Sequence, residues 1–340
     1  MMEYSLTTHA DPLLIEEWNH FIPAQKTGSL FQLPVWSELF NPKTHRWFFF
    51  EGRDDQGLRM TALVKARKIP LFGLDCYMDR GPVCDDRSRL KEGLAKLVAL
   101  LKTEGAIRLT ANPYWPYPFG KEIEADLAAL GFLPSSKKHS SYFETSVIDL
   151  GKNREDIFKD FRKDTRSRIK NSQQKGVRIR PADSEADVKA FYDLFEKMGQ
   201  KKGMRIPRYG FFLNLWKKVL RDQTLGLLLL ATFNDHLMAG IIITTHGLRA
   251  VYSWGASDLE FKEKVSKNHL VLWEGILWAK ERGFQIFDLG GMTGSKGLDP
   301  VMENIDAFKA GFGGQVQQVV RVHNLVLQKS KESVLRLVRT

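Results

Sequence analysis

Several residue spacings that define hydrolase and nucleotide-binding sites do not occur in this sequence. It has no His-Glu-x-x-His pair for zinc and no Gly-x-Ser-x-Gly nucleophile elbow, and its eight histidines are scattered. The glycine-rich loop from Gly290 to Gly297 follows a predicted strand, but Lys296 is followed by glycine rather than by Ser or Thr. The spacing of a P-loop is therefore missing. We interpret the loop as a flexible loop on the substrate side of the fold, with a plain connector as the alternative.

A cationic stretch from Asn153 to Gly176 could contact phosphate groups. Asn153 is a typical N-cap residue and Gly176 a typical C-terminal stop, so the stretch is predicted to be helical. Ile157, Phe161 and Ile169 form a narrow apolar stripe. The basic side chains left for solvent or phosphate are Lys159, Arg162, Lys163, Arg166, Arg168, Lys170 and Lys175. The alternative is a solvated face whose basic residues pair with Asp160 and Asp164.

The elements that would position such residues occur in the same order in both halves of the chain. In the first half, the sequence predicts strands within 47–83, with a hairpin at Asp54 to Gly57. A helix over 90–101, a strand over 106–109 and a helix over 123–130 are predicted to follow. In the second half, it predicts strands over 226–233, 237–245 and 249–254, a helix over 270–282, a strand over 284–289 and a short helix ending at Gly311. Gly105 and Gly283 lie 178 residues apart, and Gly131 and Gly311 lie 180 apart. The near-constant offset indicates a duplicated α/β domain, and the alternative is a coincidence of common elements.

Length and composition agree with a two-domain globular protein. The chain has 340 residues, 43% hydrophobic and 27% charged, which argues against disorder and against a fibrous repeat. Two cysteines leave no disulfide framework and favour a reducing compartment. The longest apolar stretch, Leu225 to Phe233, is too short to span a bilayer, and the N-terminus lacks the features of a signal peptide. We therefore expect a cytoplasmic protein without a transmembrane segment.

The net charge of +11 favours an anionic partner. Nucleic acid, a phosphorylated metabolite and a membrane surface all fit, and charge alone does not choose among them.

The order of strand, loop and helix in each half resembles the acetyltransferase-type (GNAT) fold. In enzymes of that fold, a loop patterned Gln/Arg-x-x-Gly-x-Gly/Ala usually holds the coenzyme A pyrophosphate at a helix N-terminus. The equivalent segment here, Asp258 to His269, contains no glycine. This argues against acyl-CoA as the donor, although a cationic variant that uses Lys264 or Lys267 is an alternative.

A set of short motifs extends in one order over nearly the whole chain. They are Phe31-Gln32 with Trp36, Arg80-Gly81-Pro82-Val83, Thr165 to Lys170, Lys175-Gly176-Val177, Tyr252 with Gly255, Trp273 to Ala279, Asp288-Leu289-Gly290-Gly291, and Phe308-Lys309 with Phe312-Gly313-Gly314. Together they resemble the Fem family of aminoacyl-tRNA-dependent peptidyltransferases, which add amino acids to the stem peptide of peptidoglycan precursors. The second half shows no long helical-hairpin insertion, so the chain is similar to the compact branch of that family.

The resemblance implies an α/β fold of two tandem GNAT-like domains. The first would span 1–148, with the tail 319–340 returning to it, and the second would span 149–318. The implied reaction is aminolysis, in which a stem-peptide amine attacks the ester of an aminoacyl-tRNA. Positioning and electrostatic stabilisation can account for much of the rate because the ester is already activated, so no metal or other cofactor is required. The implied partners are the charged tRNA and a UDP-linked or lipid-linked muropeptide, with peripheral membrane association as a further possibility.

The resemblance also implies roles for individual residues. Lys309 would be catalytic, stabilising an oxyanion as a cation, and Phe308 would offer its backbone carbonyl. The alternative for Lys309 is an ordinary surface lysine before a Gly-Phe turn. The implied substrate-binding residues are Trp36, Arg80, Gly81, Arg205, Arg208, Tyr252, Asp288, Gly290 and Gly291. Contacts to tRNA are assigned to Arg166, Arg168, Lys170 and Lys175 of the cationic stretch.

Two positions depart from the family pattern. Phe40 replaces a substrate-binding lysine, and Asn112 replaces an aspartate suggested to assist proton transfer. Asn112 cannot act as a base, so water, the substrate or another group would take the proton. Arg205 or Arg208 would supply the missing cationic contact, and the sequence does not choose between them. An acyltransferase that uses acyl-CoA or another small activated donor, and a non-catalytic RNA-binding protein, remain as alternative functions.

Overall fold

The structure, a computed structural model, describes residues 1–135, 143–203, 206–292 and 300–328. The chain divides into two compact units. Unit 1 comprises Met1–Phe143 together with the chain from Gln318 onward, and unit 2 comprises Glu144–Gln317. No helix in the described ranges is both long and apolar enough to cross a membrane.

Unit 1 begins with a mixed run of strands and helices. Its strands before residue 143 are β1 (Glu3–Thr7), β2 (Arg46–Asp54), β3 (Gly57–Ile69), β4 (Gly73–Arg80), β5 (Val83–Cys84), β6 (Ala106–Pro113) and β7 (Leu133–Pro134). Its α-helices are α1 (Pro12–Ala24), α2 (Pro34–Ser37), α3 (Leu90–Thr103) and α4 (Phe119–Ala129). The hairpin predicted at Asp54 to Gly57 joins β2 to β3.

Unit 2 repeats the pattern with additional helices. Its strands are β8 (Glu144–Asp149), β9 (Arg178–Pro181), β10 (Gly226–Phe233), β11 (His236–His246), β12 (Arg249–Ser257), β13 (Ile286–Met292) and β14 (Gln315–Gln318). Its α-helices are α5 (Arg154–Asp160), α6 (Lys163–Gln174), α7 (Glu185–Lys201), α8 (Tyr209–Leu215), α9 (His269–Glu281) and α10 (Pro300–Ala310). A final strand, β15 (His323–Val326), belongs to the sheet of unit 1.

Each unit is built on one mixed sheet. The strand order is β1-β2-β3-β4-β6-β15-β7 in unit 1, where β5 pairs with β3, and β14-β8-β13-β12-β11-β10-β9 in unit 2. In unit 1, β4 is parallel to β6, and in unit 2, β12 is parallel to β13. The parallel pairs are connected through α3 and α9, so strand, helix and strand recur in both units. The fold is therefore α/β with tandem GNAT-like domains, as predicted.

The amphipathic pattern of each crossover helix explains its packing. In α3, Leu90, Leu94, Leu97 and Leu101 recur on one face and are fully buried against β2, β3 and β6. Burying such a side chain contributes about 1.5–3 kcal/mol. The helix α9 is buried on more sides, because its residues 270–273 are all in the core of unit 2.

Glycines end both crossover helices where the sequence predicted. Gly105 follows α3 with φ +82°, and Gly283 follows α9 with φ +80°. Side chains with a Cβ rarely adopt this left-handed backbone, which makes glycine the favoured residue at both ends.

The cationic stretch is not one helix, which corrects the prediction for Asn153 to Gly176. It forms α5 and α6, separated by extended backbone at Phe161 and Arg162. The Phe161 ring is buried against Phe312 at 5.1 Å between centroids, and the Arg162 amide donates to the Gly311 carbonyl at 2.9 Å. Tertiary contacts therefore interrupt a segment whose local sequence favours a continuous helix.

Candidate functional site

Lys309 lies in the last turn of α10 and is buried rather than exposed. Only 8% of the residue is accessible, and its Nζ donates to the carbonyl of Gly291 at 2.7 Å. Burial lowers the pKa of Lys309, while the carboxylates of Asp288 and Asp306 act in the opposite direction. The interpretation of Lys309 as an ordinary surface lysine is wrong.

The Gly290–Gly291 turn presents the carbonyl that receives Lys309. The Gly290 amide donates to Oδ1 of Asp288 at 2.8 Å, and Gly290 has φ +81°. A Cβ at Gly290 would lie 3.5 Å from Nζ of Lys309. Glycine thus provides the left-handed backbone conformation of this turn. The rest of the predicted glycine-rich loop, 293–299, lies outside the described residues.

Asp288 makes its described contacts inside the protein, and its assignment as a substrate contact stays a prediction. Its Oδ1 accepts from the Thr145 hydroxyl as well as from the Gly290 amide, and its Oδ2 lies 3.7 Å from Nη1 of Arg249. The side chains of Arg249 and Asp288 are only 6% and 5% exposed. Asp288 therefore positions the turn that holds Lys309.

Arg249 was missed in the sequence analysis. The signal was a charged residue at the start of an otherwise uncharged strand, β12. Buried charges of this kind are normally paired. The partner, Asp288, lies 39 positions later in the chain, and the parallel pairing of β12 with β13 brings the two together.

Tyr252 lies on β12 beside the same turn. Its carbonyl oxygen would be 3.4 Å from a Cβ at Gly290, and burial raises the pKa of its hydroxyl to about 12. Its ring occupies the space above Gly255, where a Cβ would overlap the hydroxyl oxygen. The structure thus brings Tyr252, Asp288, Gly290, Gly291 and Lys309 together at the carboxyl end of β13.

Phe308 joins the aromatic cluster beneath α10. Its ring centroid lies 5.1 Å from that of His269 and 5.3 Å from that of Phe312. Its carbonyl accepts from the Gly311 amide at 3.1 Å, so one of its lone pairs is already used within the turn. A second lone pair is left for the substrate contact that the family resemblance implies.

His269, the first residue of α9, is another residue that the sequence analysis missed. Its Nδ1 hydrogen-bonds with the hydroxyl of Ser266, and its ring stacks on Phe312 at 5.8 Å. Burial, reinforced by Arg168, lowers the pKa of His269 to about 4, so the ring is neutral at physiological pH.

The glycine-free segment from Asp258 to His269 is bound to α6. The Ser266 amide donates to Oγ of Ser172 at 3.2 Å, and Nζ of Lys175 donates to the Lys264 carbonyl at 2.9 Å. Nζ of Lys267 donates to the Asp258 carbonyl. These contacts fix the segment that the sequence analysis equates with the GNAT pyrophosphate loop.

The four residues assigned to tRNA differ in how far their side chains are free to contact a phosphate group. Arg166 donates to the carbonyls of Lys159 and Phe161 and so caps α5, and Lys175 is engaged with the Lys264 carbonyl. Arg166 and Lys175 therefore have intramolecular partners, and their assignment to tRNA stays a prediction. Arg168 lies 4.0 Å from Asp164, and Lys170 lies 5.9 Å from the Phe158 ring centroid, and both are exposed.

The predicted substrate-binding residues of unit 1 are largely structural. Trp36 is 7% exposed and packs on Phe31 at 4.6 Å between ring centroids. A Cβ at Gly81 would meet Oε1 of the buried Gln32 at 2.4 Å. These surroundings give both residues a structural role, and the assignments of Trp36 and Gly81 as substrate contacts stay predictions.

Arg80 has an unusual backbone at the end of β4. Its φ is +56°, and its amide donates to Oδ1 of Asn112 at 2.7 Å, while its guanidinium lies 5.4 Å from the Tyr114 ring centroid. Asn112 thus holds a conformation that side chains with a Cβ rarely adopt.

Of the two candidate arginines of the second half, Arg208 lies within the described residues. Arg208 is exposed and precedes α8, and no described hydrogen bond joins its side chain to the residues around Lys309. Arg205 lies outside the described residues.

Comparisons with known proteins agree with this fold. An acetyltransferase (GNAT) domain model matches residues 159–300. The lipid II:glycine glycyltransferase of Staphylococcus haemolyticus (strain JCSC1435) is 21% identical over 403 aligned positions, covering 95% of this chain and 94% of the relative. The crystal structure of FemX superposes with a TM-score of 0.84 at 19% identity, covering 98% of this chain and 99% of that one. The resemblance to the Fem family is confirmed.

A further solved structure supports the duplicated fold of this Fem-like chain. The tandem GNAT protein from the clavulanic acid biosynthesis pathway has a TM-score of 0.57 at 12% identity and covers 96% of this chain and 98% of its own. The relatives and the domain match together support a transferase.

Proposed function

We propose that this protein is an aminoacyltransferase that adds an amino acid from an aminoacyl-tRNA to the stem-peptide amine of a peptidoglycan precursor. The observation that carries the proposal is the buried ammonium of Lys309, fixed at 2.7 Å to the Gly291 carbonyl at the end of β13. The chain is similar over 95% of its length to curated glycyltransferases that act on lipid II. Their names favour a lipid-linked acceptor.

Aminolysis of an ester places negative charge on the carbonyl oxygen as the amine attacks. The C–N bond forms, the C–O bond to the terminal ribose breaks, and the tRNA hydroxyl is released with a proton. A preorganised cation in a site with little water stabilises that oxyanion more than a solvated one would. Lys309 supplies the cation in this proposal, and Asp288 keeps its carbonyl partner in place through the Gly290 amide.

The donor is inferred from the segment before α9. Coenzyme A binding in the GNAT fold uses free amides of a glycine loop at this helix N-terminus. Here Ser266 and Lys264 are hydrogen-bonded to α6, and the segment has no glycine. The exposed bases Arg168 and Lys170 lie on α6 and give the surface a charge suited to a nucleic-acid backbone.

The proposal is tested by comparing donors. Purified protein is incubated with a muropeptide precursor and either charged tRNAs or acetyl-CoA, and the initial rate of product formation is measured. The proposal expects product with charged tRNA and none with acetyl-CoA. Acetylated precursor without aminoacylated product would support an acyl-CoA transferase, and tRNA binding without either product would support a non-catalytic RNA-binding protein.

A further inference from the structure

The hairpin between β3 and β4 of unit 1 ends in an exposed apolar turn that the proposed chemistry does not use. Ile69 ends β3, Gly73 begins β4, and the two residues are paired across the hairpin. Between them, Leu71 is 99% exposed, and Pro70 is exposed as well. We call Pro70 and Leu71 the hairpin tip. Single apolar side chains are common on protein surfaces, so the exposure alone assigns no role to the tip.

The backbone of the turn makes leucine an unfavourable residue at this position. The Phe72 amide donates to the Ile69 carbonyl at 3.1 Å, with Pro70 and Leu71 as the two central residues, and Leu71 has φ +67°. A proline followed by a residue with positive φ is the pattern of a type II turn, whose third position favours glycine or asparagine. Leu71 therefore bears the cost of a left-handed backbone as well as that of an exposed apolar side chain. Neither turn geometry nor packing within the protein explains a leucine here.

The base of the hairpin tip is fixed to the rest of unit 1. Ile69 is buried against Ile107 of β6, and the partly buried ring of Phe72 packs on the same pair. The Leu74 amide donates to the Gly105 carbonyl at 3.0 Å, so the start of β4 is held by the chain that follows α3. The tip consequently projects into solvent from a packed support.

Basic side chains flank the hairpin tip on both faces of the hairpin. Arg67 and Lys68 are exposed neighbours at the end of β3, and side chains alternate along a strand, so the two lie on opposite faces. The segment from Lys65 to Leu74 contains three bases and no acid. The acid that follows it, Asp75, pairs with Arg108 at 2.6 Å and lies 3.9 Å from Arg67. The hairpin therefore keeps a positive charge around its apolar tip.

The shape and charge of the tip fit a lipid surface better than a protein partner. A stable protein interface buries about 800 Å² on each partner, which two protruding residues do not supply. A bilayer requires less, because apolar side chains enter the boundary of the acyl chains while neighbouring lysines and arginines reach the headgroups. The basic flanks select anionic headgroups among these.

We propose that the hairpin tip inserts into the interfacial region of a bilayer that contains anionic lipids. Leu71 enters the boundary of the acyl chains, and Arg67 and Lys68 contact the headgroups. The contact involves unit 1 alone. It extends the proposed function, because a lipid-linked acceptor lies at such a surface. Its test needs neither acceptor nor tRNA, so the inference and the proposed function fail separately.

The test measures co-sedimentation of the full chain with vesicles. Vesicles of phosphatidylcholine alone are compared with vesicles that also contain phosphatidylglycerol, and wild-type protein is expected to bind the anionic vesicles more tightly. Leu71→Asn should lower the affinity for anionic vesicles about tenfold or more, because the buried leucine side chain is lost. It should leave the melting temperature unchanged or raise it, because asparagine adopts the left-handed backbone more readily. Arg67→Gln with Lys68→Gln should lower the affinity for anionic vesicles about fivefold for each base.

The matched control is Leu133→Asn. Leu133 is 70% exposed and lies on β7, the edge strand at the far side of the same sheet, so its loss should leave vesicle binding unchanged. A second readout follows insertion directly. Because Cys76 and Cys84 are buried, Leu71→Cys offers an exposed thiol for an environment-sensitive dye. Its emission should shift to the blue on anionic vesicles, whereas the same dye on Leu133→Cys should not respond.

Three results would overturn the inference. Wild-type protein that binds neither kind of vesicle would do so, and so would a folded Leu71→Asn variant that keeps wild-type affinity for anionic vesicles. Sedimentation velocity without lipid provides the third, because self-association that depends on Leu71 would make the tip a contact between two copies of the chain. None of these results bears on aminoacyl transfer to a soluble precursor, which tests the proposed function separately.

Discussion

Lys309 is the residue on which the proposed chemistry depends most. Removing one oxyanion stabiliser lowers turnover about 10²–10³-fold in other enzymes. Lys309→Ala should therefore lower kcat by about that factor with a much smaller change in KM for the precursor, as measured by steady-state kinetics. Lys280→Ala is a matched control, because Nζ of Lys280 also donates to a backbone carbonyl, that of Leu150, at 2.9 Å. Near-wild-type turnover in folded Lys309→Ala would remove Lys309 from the site.

Asp288 is expected to act through Lys309. Its carboxylate raises the pKa of Lys309 against the effect of burial, so Asp288→Asn should lower that pKa further. The cationic form of Lys309 would then be lost at lower pH, and the alkaline limb of the kcat profile should move to lower pH. The variant also leaves Arg249 without its carboxylate partner and should destabilise the fold by up to about 3–5 kcal/mol.

Thr145→Val separates these two effects. It removes the hydroxyl that donates to Asp288 but keeps the negative charge. It should lower the melting temperature and leave the alkaline limb in place. An unshifted limb in folded Asp288→Asn would show that Asp288 supports structure only.

At the scale of elements, the basic residues of α6 differ in their surroundings. Arg168 and Lys170 are exposed to solvent, whereas Arg166 donates to backbone carbonyls at the end of α5. Replacing exposed Arg168 and Lys170 by glutamine should weaken tRNA binding and flatten its dependence on salt, because each phosphate neutralised contributes a log–log slope of about −0.7 to −0.9. Glutamine has similar helix propensity, so circular dichroism should be unchanged. An unchanged salt slope would mean that this surface is a solvated face.

Arg166→Gln is the comparison for that experiment. Its guanidinium donates to two carbonyls at the end of α5, so its loss should destabilise unit 2 while the salt slope changes little. A large loss of tRNA affinity with unchanged stability would instead support Arg166 as a phosphate contact.

The order of elements could be predicted because apolar periodicity and helix-ending glycines are local signals. The strands β10 and β12 and the helices α3 and α9 were predicted to within a few residues. The break between α5 and α6 could not be, because it depends on the contact of Arg162 with Gly311, 149 positions later. Burial of Lys309 and the pairing of Asp288 with Arg249 likewise depend on tertiary packing. The sequence indicated Lys309 and Asp288 only through the family resemblance, and it did not indicate Arg249.

At the scale of the whole molecule, the family match and the local contacts of unit 2 bear on the choice of donor. Unit 2 carries the GNAT domain match over 159–300, but its segment before α9 is bound to α6. Calorimetry with coenzyme A should therefore show no measurable binding. Micromolar binding would favour an acyl-CoA donor.

Transfer of label from tRNA to precursor tests the central claim most directly. A tRNA charged with a radiolabelled amino acid is incubated with the protein and the precursor, and the products are exposed to mild base, which cleaves aminoacyl esters and spares amides. The proposed function predicts that label moves to the precursor in a base-stable form, and that acetylating the stem amine beforehand abolishes the transfer. Label that remains on the tRNA, or that appears only as free amino acid, would contradict it.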